Sequence, residues 1–292
     1  MTHPGLSIDG FHDPQTGTVS YVVADAATGC AAIIDPVLDF DGPSGRTSGA
    51  SAQRLMDHVN ARGLSVEWIL ETHAHADHLS AARHLQDRVG GRIGIGRNIR
   101  EVQRHFSGIY NLDPGEFPEG GHFDRLLGEG DEIRIGQSVA TVLEVPGHTP
   151  ADVAYRIGDA VFAGDTLFMP DVGTARADFP GGDASALYRS IRRLLDLPPA
   201  TRIFVCHDYP RDREPRWACT VAEQRAGNIH VRDGIGEDRF VAMRAARDAV
   251  LKLPALMLPS LQVNIRGGRL PPADGNGIAY LRIPLNIFAA PA

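Results

Sequence analysis

Apolar residues in this chain recur in two periods. SYVVAD (20–25) and CAAIIDP (30–36) are short, almost uninterrupted apolar runs on either side of AATG, and predict a β-hairpin. VEWIL (66–70), IGI (93–95), EIRI (132–135), VATVLEV (139–145), DVAYRI (152–157), AVFAGD (160–165) and the first part of TRIFVCHDY (201–209) read as further strands. The longer period appears in SAQRLMDHVNARG (51–63), where Leu55, Val59 and Leu64 fall at helical spacing. It returns in a helix from near Ser80 to a stop at Gly90, in DASALYRSIRRLLDL (183–197) with Leu187, Ile191, Leu194 and Leu195 on one side, and in EDRFVAMRAARDAVLKL (237–253). Residues 41–50 are rich in Gly and Ser and predict a loop. Residues 106–130 carry several glycines and two prolines and read as irregular, and the last forty residues mix prolines with VNIRG and YLRIPLN.

Strands and helices alternate in both halves, with hairpins inside each. This predicts an α/β fold, a four-layered αββα sandwich of two mixed sheets packed face to face with helices outside. Residues 1–235 form the expected catalytic domain, and residues 236–292 a C-terminal extension packed on it as a cap or lid. The length of 292 residues is enough for a large core without covalent staples. No internal repeat or low-complexity tract interrupts the pattern.

Composition narrows the function classes. A formal net charge of −7 and a pI near 5.9 argue against a protein that tracks nucleic acid, which needs a basic face. The first residues, MTHPGLSIDGF, have neither the cationic nor the apolar region of a signal peptide, and no window is apolar enough to span a membrane. Three cysteines, Cys30, Cys206 and Cys219, form no CxxC pair, so a reducing, cytoplasmic location is expected.

The chemistry is carried by histidine. Residues 72–78 read THAHADH, three of the chain's 12 histidines and an aspartate within seven residues, directly after a buried strand. Neutral imidazoles and carboxylates ligate borderline and hard divalent cations, and burying so many lone pairs together without a cation is costly. Three other strand ends each offer a donor: His148 in EVPGHTP, Asp165 in FAGDTLF and His207 in FVCHDY. A lone PGHT or GD means little, but four converging strand ends predict a metal centre. The remaining histidines, His3, His12, His58, His84, His105, His122 and His230, read as ordinary surface, loop or core residues.

In this order, His73, His75, Asp77, His78, His148, Asp165 and His207 resemble the metallo-β-lactamase superfamily over nearly the whole chain, which implies the αββα fold independently. For the dinuclear hydrolases of that superfamily, the glyoxalase II type, the resemblance implies two metal ions, two zincs or a zinc/iron pair. His73, His75 and His148 hold one, Asp77, His78 and His207 the other, and Asp165 bridges. DVGTARADFPGGDASALYRSI (171–191), HDY (207–209) and LPSLQVNIRGGRLPP (258–272) are similar to the persulfide dioxygenase branch, and within it to bacterial β-lactamase-hydrolase-like proteins. That narrower resemblance implies one Fe(II) per chain on His73, His148 and Asp165, with His75, Asp77, His78 and His207 as supporting residues or ligands of a second metal. Two imidazoles and one carboxylate on one face of an octahedral iron leave adjacent positions open.

The implied reaction turns glutathione persulfide, or a similar low-molecular-weight persulfide, and O2 into sulfite and thiol. A homodimer and a functional link to a sulfurtransferase are expected on the same ground. The alternative activity is metal-dependent hydrolysis of thioesters or lactones. Relatives in this branch often carry a cysteine in the loop that reads GTARADF here, where this chain has Thr174 and Ala177, so no role of that thiol transfers. Cys206 reads as a small buried hydrophobe. Arg176, Asp178, Tyr209 and Thr149 are the candidate substrate-binding residues. Arg176 offers a planar fork for a carboxylate unless Asp178 occupies it, and Thr149 offers a hydroxyl unless it caps the following turn. Asp35, in IDP, is a candidate brace of the histidine loop, and Gly147 and Gly164 supply tight turns.

Overall fold

The computed structural model describes residues 5–210 and 212–287. The first half of the chain runs β1 (Leu6–His12), β2 (Val19–Asp25), β3 (Cys30–Ile34), β4 (Val37–Asp41), β5 (Arg46–Ser48), α1 (Ala50–Ala61), β6 (Ser65–Leu70), β7 (Leu79–Ser80), α2 (Ala82–Val89), β8 (Arg92–Gly96) and α3 (Ile99–Tyr110). The second half runs β9 (Arg125–Leu127), β10 (Glu132–Ile135), β11 (Ser138–Glu144), β12 (Val153–Ile157), β13 (Ala160–Phe162), α4 (Ala184–Leu195), β14 (Arg202–Phe204), β15 (Ala218–Thr220), α5 (Val221–Gly227), α6 (Glu237–Asp248) and α7 (Met257–Asn264).

Two six-stranded mixed sheets result, in the orders β1-β2-β3-β6-β8-β9 and β10-β11-β12-β13-β14-β15, with a small third sheet in the order β5-β4-β7. The alternation of side chains along each strand explains the layering. Tyr21, Val23, Ala32, Ile34, Trp68 and Leu70 of the first sheet meet Val142, Tyr155, Ile157 and Phe162 of the second in one core. The intervening residues Val22, Ala31, Ile33 and Ile69 face away, onto Leu55, Val59 and Leu85 of α1 and α2. Ala154, Val161 and Ile203 face Leu187, Ile191 and Leu194 of α4. Central strands covered on both faces must be apolar at every position, hence the unbroken runs in the sequence. The four layers, helices–sheet–sheet–helices, follow.

The structure departs from the sequence reading in several places. β1 lies where no strand is expected; it pairs antiparallel with β2 from Leu6↔Asp25 to His12↔Val19. The expected loop at 41–50 contains β5, paired to β4. α3 occupies 99–110, overlapping the segment read as irregular, and buries Ile99, Val102, Phe106 and Tyr110 at helical spacing. α5 and α7 are helices that the reading did not place. Pro259 is compatible with α7 because it sits in the first turn, where its missing N–H has no partner to lose. α6 ends at Asp248, short of the expected 253, ahead of Pro254. The C-terminal segment from 236, read as an extension packed on the catalytic domain, has these contacts. α6 packs on α4, α7 packs on β7 and α3, and Leu261 and Ile265 share a cluster with Ala74 and Ala76 of the histidine loop. Among the described residues, no helix is long and apolar enough to cross a membrane.

Candidate metal centre

The histidine loop starts where β6 ends, and a single aspartate organises it. Asp35 has a left-handed backbone, φ 49°, a conformation asparagine and aspartate tolerate better than most residues. Its two oxygens accept from the Thr72 N–H (2.7 Å) and the Thr72 hydroxyl (2.9 Å), and the first also lies 3.1 Å from His75 Nε2. Thr72 Oγ1 in turn lies 3.0 Å from His73 Nδ1. His73 is therefore turned so that Nε2 faces inward, and His75 so that Nδ1 does. Glu71, also buried, sits 3.4 Å from His75 Nε2 and accepts from the Ser80 hydroxyl. His78 Nδ1 is 3.2 Å from Thr18 Oγ1, leaving Nε2 inward.

The other strand ends bring the remaining donors. His148 follows a turn at Gly147, where φ is 144° and a Cβ would lie 2.2 Å from the Leu187 backbone N, so only glycine fits. Its Nδ1 bonds the Arg176 carbonyl at 2.8 Å, which points Nε2 at the site. Asp165 leaves a tight turn at Gly164, φ 52°. His207 is anchored through a bridge to Thr18.

These side chains converge as two sets. The donor atoms of His73, His148 and Asp165 all lie within 4.8 Å of one another, as do those of His75, Asp77, His78 and His207. Asp165 faces both: one oxygen is 3.5 Å from His148 Nε2 and 3.8 Å from His73 Nε2, and the other is 3.4 Å from His207 Nε2. Asp77 is 3.4 Å from His207 Nε2.

Whether a cation fits is decided by what these atoms otherwise bond. His73 Nε2, His75 Nδ1, Asp77 Oδ2, His78 Nε2, Asp165 Oδ1 and both nitrogens of His207 are buried with no hydrogen-bond partner. Orphaned buried donors and acceptors are rare because each costs about 1–3 kcal/mol. Six residues offering them to one space fit a metal centre.

The electrostatics agree. Burial, reinforced by the neighbouring imidazoles, holds the His73 pKa well below its ordinary value, and His78 is lowered in the same way; neutral imidazole is the form that ligates. Burial is the largest single influence on Asp77 and raises its pKa, but His207, His78 and His75 together outweigh it and keep the carboxyl ionised. His75 is the exception: burial would lower its pKa, yet the Asp35 carboxylate and Cys206 raise it well above its ordinary value, which favours the protonated form that does not ligate.

A cavity of about 290 Å³ opens onto this floor, with Asp77, His148 and Asp165 at its base and Phe168, Tyr209, Arg176 and Arg247 on its walls. Tyr209 is stacked on His207, with ring centroids 5.6 Å apart. Arg176 lines the cavity, but its guanidinium is engaged. Nε and Nη2 donate to Asp178 and Nη1 to the Lys252 carbonyl, so the intraloop ion pair forms. Thr149 and Asp178 are not on the cavity wall. The Thr149 hydroxyl donates to Asp152 at 2.6 Å, the turn-capping arrangement. Burial pushes the Asp152 carboxyl up to about 6. The Cys206 sulfur is buried within 4.8 Å of donor atoms on Asp35 and His75, and burial raises its pKa.

The sequence reading passed over Thr18, Glu71, Thr72 and Asn264, which hold the ligands without being ligands. It also passed over the α6 pair Arg244–Asp248. Asp248 accepts from the Ala177 N–H (2.9 Å) and Arg244 donates to the Thr174 carbonyl (3.2 Å), bracing the loop that fixes His148. Thr72 opens the motif and Glu71 directly precedes it, so both could have been singled out; Thr18, Asn264, Arg244 and Asp248 lie far from it in the chain.

A two-sheet αββα sandwich with seven histidine and aspartate donors at converging strand ends defines a metalloenzyme of one class. The chain belongs to the metallo-beta-lactamase superfamily, whose sequence profile matches residues 13–207. It is 52% identical over 292 residues to a probable metallo-hydrolase of Burkholderia pseudomallei, covering 96% of this chain and 99% of that one. It is 50% identical over 286 residues to a beta-lactamase hydrolase-like protein of Xylella fastidiosa, covering 98% of this chain but only 66% of that relative's length. Among solved structures, ETHE1 from Myxococcus xanthus superposes with a TM-score of 0.73 at 28% identity, covering 90% of this chain and all of that one. At similar identity the chain matches both a persulfide dioxygenase of Mus musculus (28% over 200 residues, 68% of this chain and 66% of that one) and a hydroxyacylglutathione hydrolase of Methylococcus capsulatus (29% over 246 residues, 84% and 80%).

Proposed function

We propose that this chain is an iron(II)-dependent dioxygenase of glutathione persulfide or a similar low-molecular-weight persulfide. The observation that carries the reading is the buried set His73, His148 and Asp165, whose last two members stand at the base of the cavity, in a chain whose fold matches the M. xanthus ETHE1 over that protein's full length. His73, His148 and Asp165 would hold the metal. Bound iron(II) supplies redox capacity and adjacent coordination positions for sulfur and dioxygen, which zinc does not.

The balance is R–S–SH + O2 + H2O → R–SH + H2SO3: the outer sulfur gives four electrons to dioxygen, and the S–S bond breaks to leave the thiol. This chain's residues provide the setting. Thr72 and the Arg176 carbonyl lock the tautomers and directions of His73 and His148. Phe168, Leu251 and Pro254 give the cavity apolar lining, and Tyr209 stands on the same lining beside the site. Asp77, held ionised on the cavity lining, keeps a fixed negative charge beside the metal ligands.

One observation favours a second reading. The set His75, Asp77, His78 and His207 is complete and buried except for the half-buried Asp77, as a dinuclear hydrolase of thioesters or lactones requires, with a metal-bound hydroxide as nucleophile. Metal analysis joined to turnover separates the two. One iron per chain, with oxygen uptake and sulfite release from glutathione persulfide, supports the dioxygenase. Two metals per chain with thioester hydrolysis and no oxygen uptake overturns it.

A further inference from the structure

The histidine loop is gripped from a distant part of the chain. Asn264, the last residue of α7, is buried, and its amide spends every hydrogen on this loop. Nδ2 donates to the carbonyls of His75 (2.7 Å) and His78 (2.8 Å), while Oδ1 accepts from the Ser80 N–H (2.7 Å). Among the described residues no backbone N–H reaches either carbonyl. The two carbonyls belong to candidate ligands themselves, so one planar amide sets the spacing between the backbones that aim His75 and His78.

The surroundings keep the amide still. Val263 is buried against α1 and α2, and Leu261 and Ile265 are buried with Ala74 and Ala76. Gly268, φ 80°, lies so close to the backbone of β7 and α2 that a Cβ would sit 2.9 Å from the Ser80 carbonyl oxygen.

We infer that Asn264 is a positioning residue of the metal centre, and that the C-terminal extension is a structural part of that centre through it. Removing the amide leaves two buried carbonyls and one buried N–H without partners, and the loop recovers them only by moving. Metal sites tolerate displacements of only about 0.5 Å, and supporting partners of ligands are typically worth about 10–100-fold in metal affinity. The inference rests on the donor cluster binding metal, but not on which reaction follows.

The test therefore measures binding without turnover. The full chain, stripped with a chelator, is titrated with Zn2+ against a competing chromophoric chelator, and separately loaded with Co2+ for its visible spectrum. Asn264→Ala and the milder Asn264→Ser are compared with Gln262→Ala. Gln262 is two residues earlier on α7, donates to the Leu258 and Arg282 carbonyls and touches no ligand loop. The expected result is about 10–100-fold weaker Zn2+ binding and an altered Co2+ spectrum for both Asn264 variants, with Gln262→Ala binding as the parent does while melting lower. Asn264→Asp keeps the acceptor but not the donors, and should bind as weakly as Asn264→Ala. If the Asn264 variants melt lower yet bind Zn2+ like the parent, Asn264 is merely structural and the inference is overturned. A parent chain that binds no metal overturns this inference and the proposed function together, whereas normal binding without oxygen uptake overturns only the function.

Discussion

The two donor sets share Asp165 as a neighbour but are built differently. His73 and His148 each have one nitrogen tied to a neutral partner, a threonine hydroxyl and a backbone carbonyl, and one nitrogen inward. His148 and Asp165 open onto the cavity. In the second set, His75 leans on two buried carboxylates, Asp35 and Glu71, while neither nitrogen of His207 makes a hydrogen bond, its Nε2 standing 3.4 Å from Asp77 and from Asp165. Of its four members only Asp77 reaches the cavity. The difference teaches that the first set is presented to substrate and the second is enclosed by protein. This suits one reactive metal with an ionic surround better than two equivalent metals.

The comparison breaks most visibly by deleting donors. Asp165→Ala and His148→Ala should each reduce oxygen uptake to background and abolish iron retention, read by metal analysis. His207→Ala should keep one iron per chain and lose about 10–100-fold in activity. Equal loss of metal and turnover in all three variants would make the sets equivalent and favour the dinuclear hydrolase.

Next in size is the support behind the first set. His230 Nδ1 accepts from the Thr174 N–H at 3.1 Å, on the loop whose Arg176 carbonyl holds His148. Burial, with Arg244 and Arg247 adding to it, lowers the His230 pKa to about 4. A histidine whose folded pKa lies below its unfolded value contributes stability above about pH 6.5 and loses it as pH falls through about 4. The full effect is about 3 kcal/mol. Urea unfolding between pH 7 and pH 4 should show this slope, and His230→Gln should flatten it by close to one proton.

Asp35 serves both sets at once, so Asp35→Asn sharpens the comparison rather than breaking it. Asparagine tolerates the left-handed backbone at this position, so the fold should persist. Metal affinity should fall about 10–100-fold, measured by chelator competition. The smallest expected effect concerns the cavity wall. Arg176→Ala should change the apparent KM for the persulfide by less than about threefold, because Asp178 and the Lys252 carbonyl already occupy its fork. A rise of about tenfold or more with unchanged kcat would show that the fork leaves Asp178 for the substrate.

Much of the centre was legible in the chain because its donors sit at the ends of strands, where apolar runs stop and a histidine or aspartate follows within a few residues. THAHADH, PGH, GD and CHD all carry that signature. α3 was legible too: Ile99, Val102, Phe106 and Tyr110 keep helical spacing, and the glycines that follow obscured it. α7 was hidden by Pro259 and by its lack of a polar face. The Arg176–Asp178 pair was legible as a possibility, but only the fold shows Lys252 joining it.

Local pattern alone carried the layers and the candidate donors, since alternation and strand termination are properties of neighbours in sequence. The grouping of seven donors into two sets was decided by tertiary structure. So were the inward turn of each imidazole and the amide that holds His75 and His78 from 186 and more residues away. Those depend on hydrogen bonds between segments that meet only once both sheets have packed. A side chain's direction is set by its partner in space, and the linear chain does not record that partner.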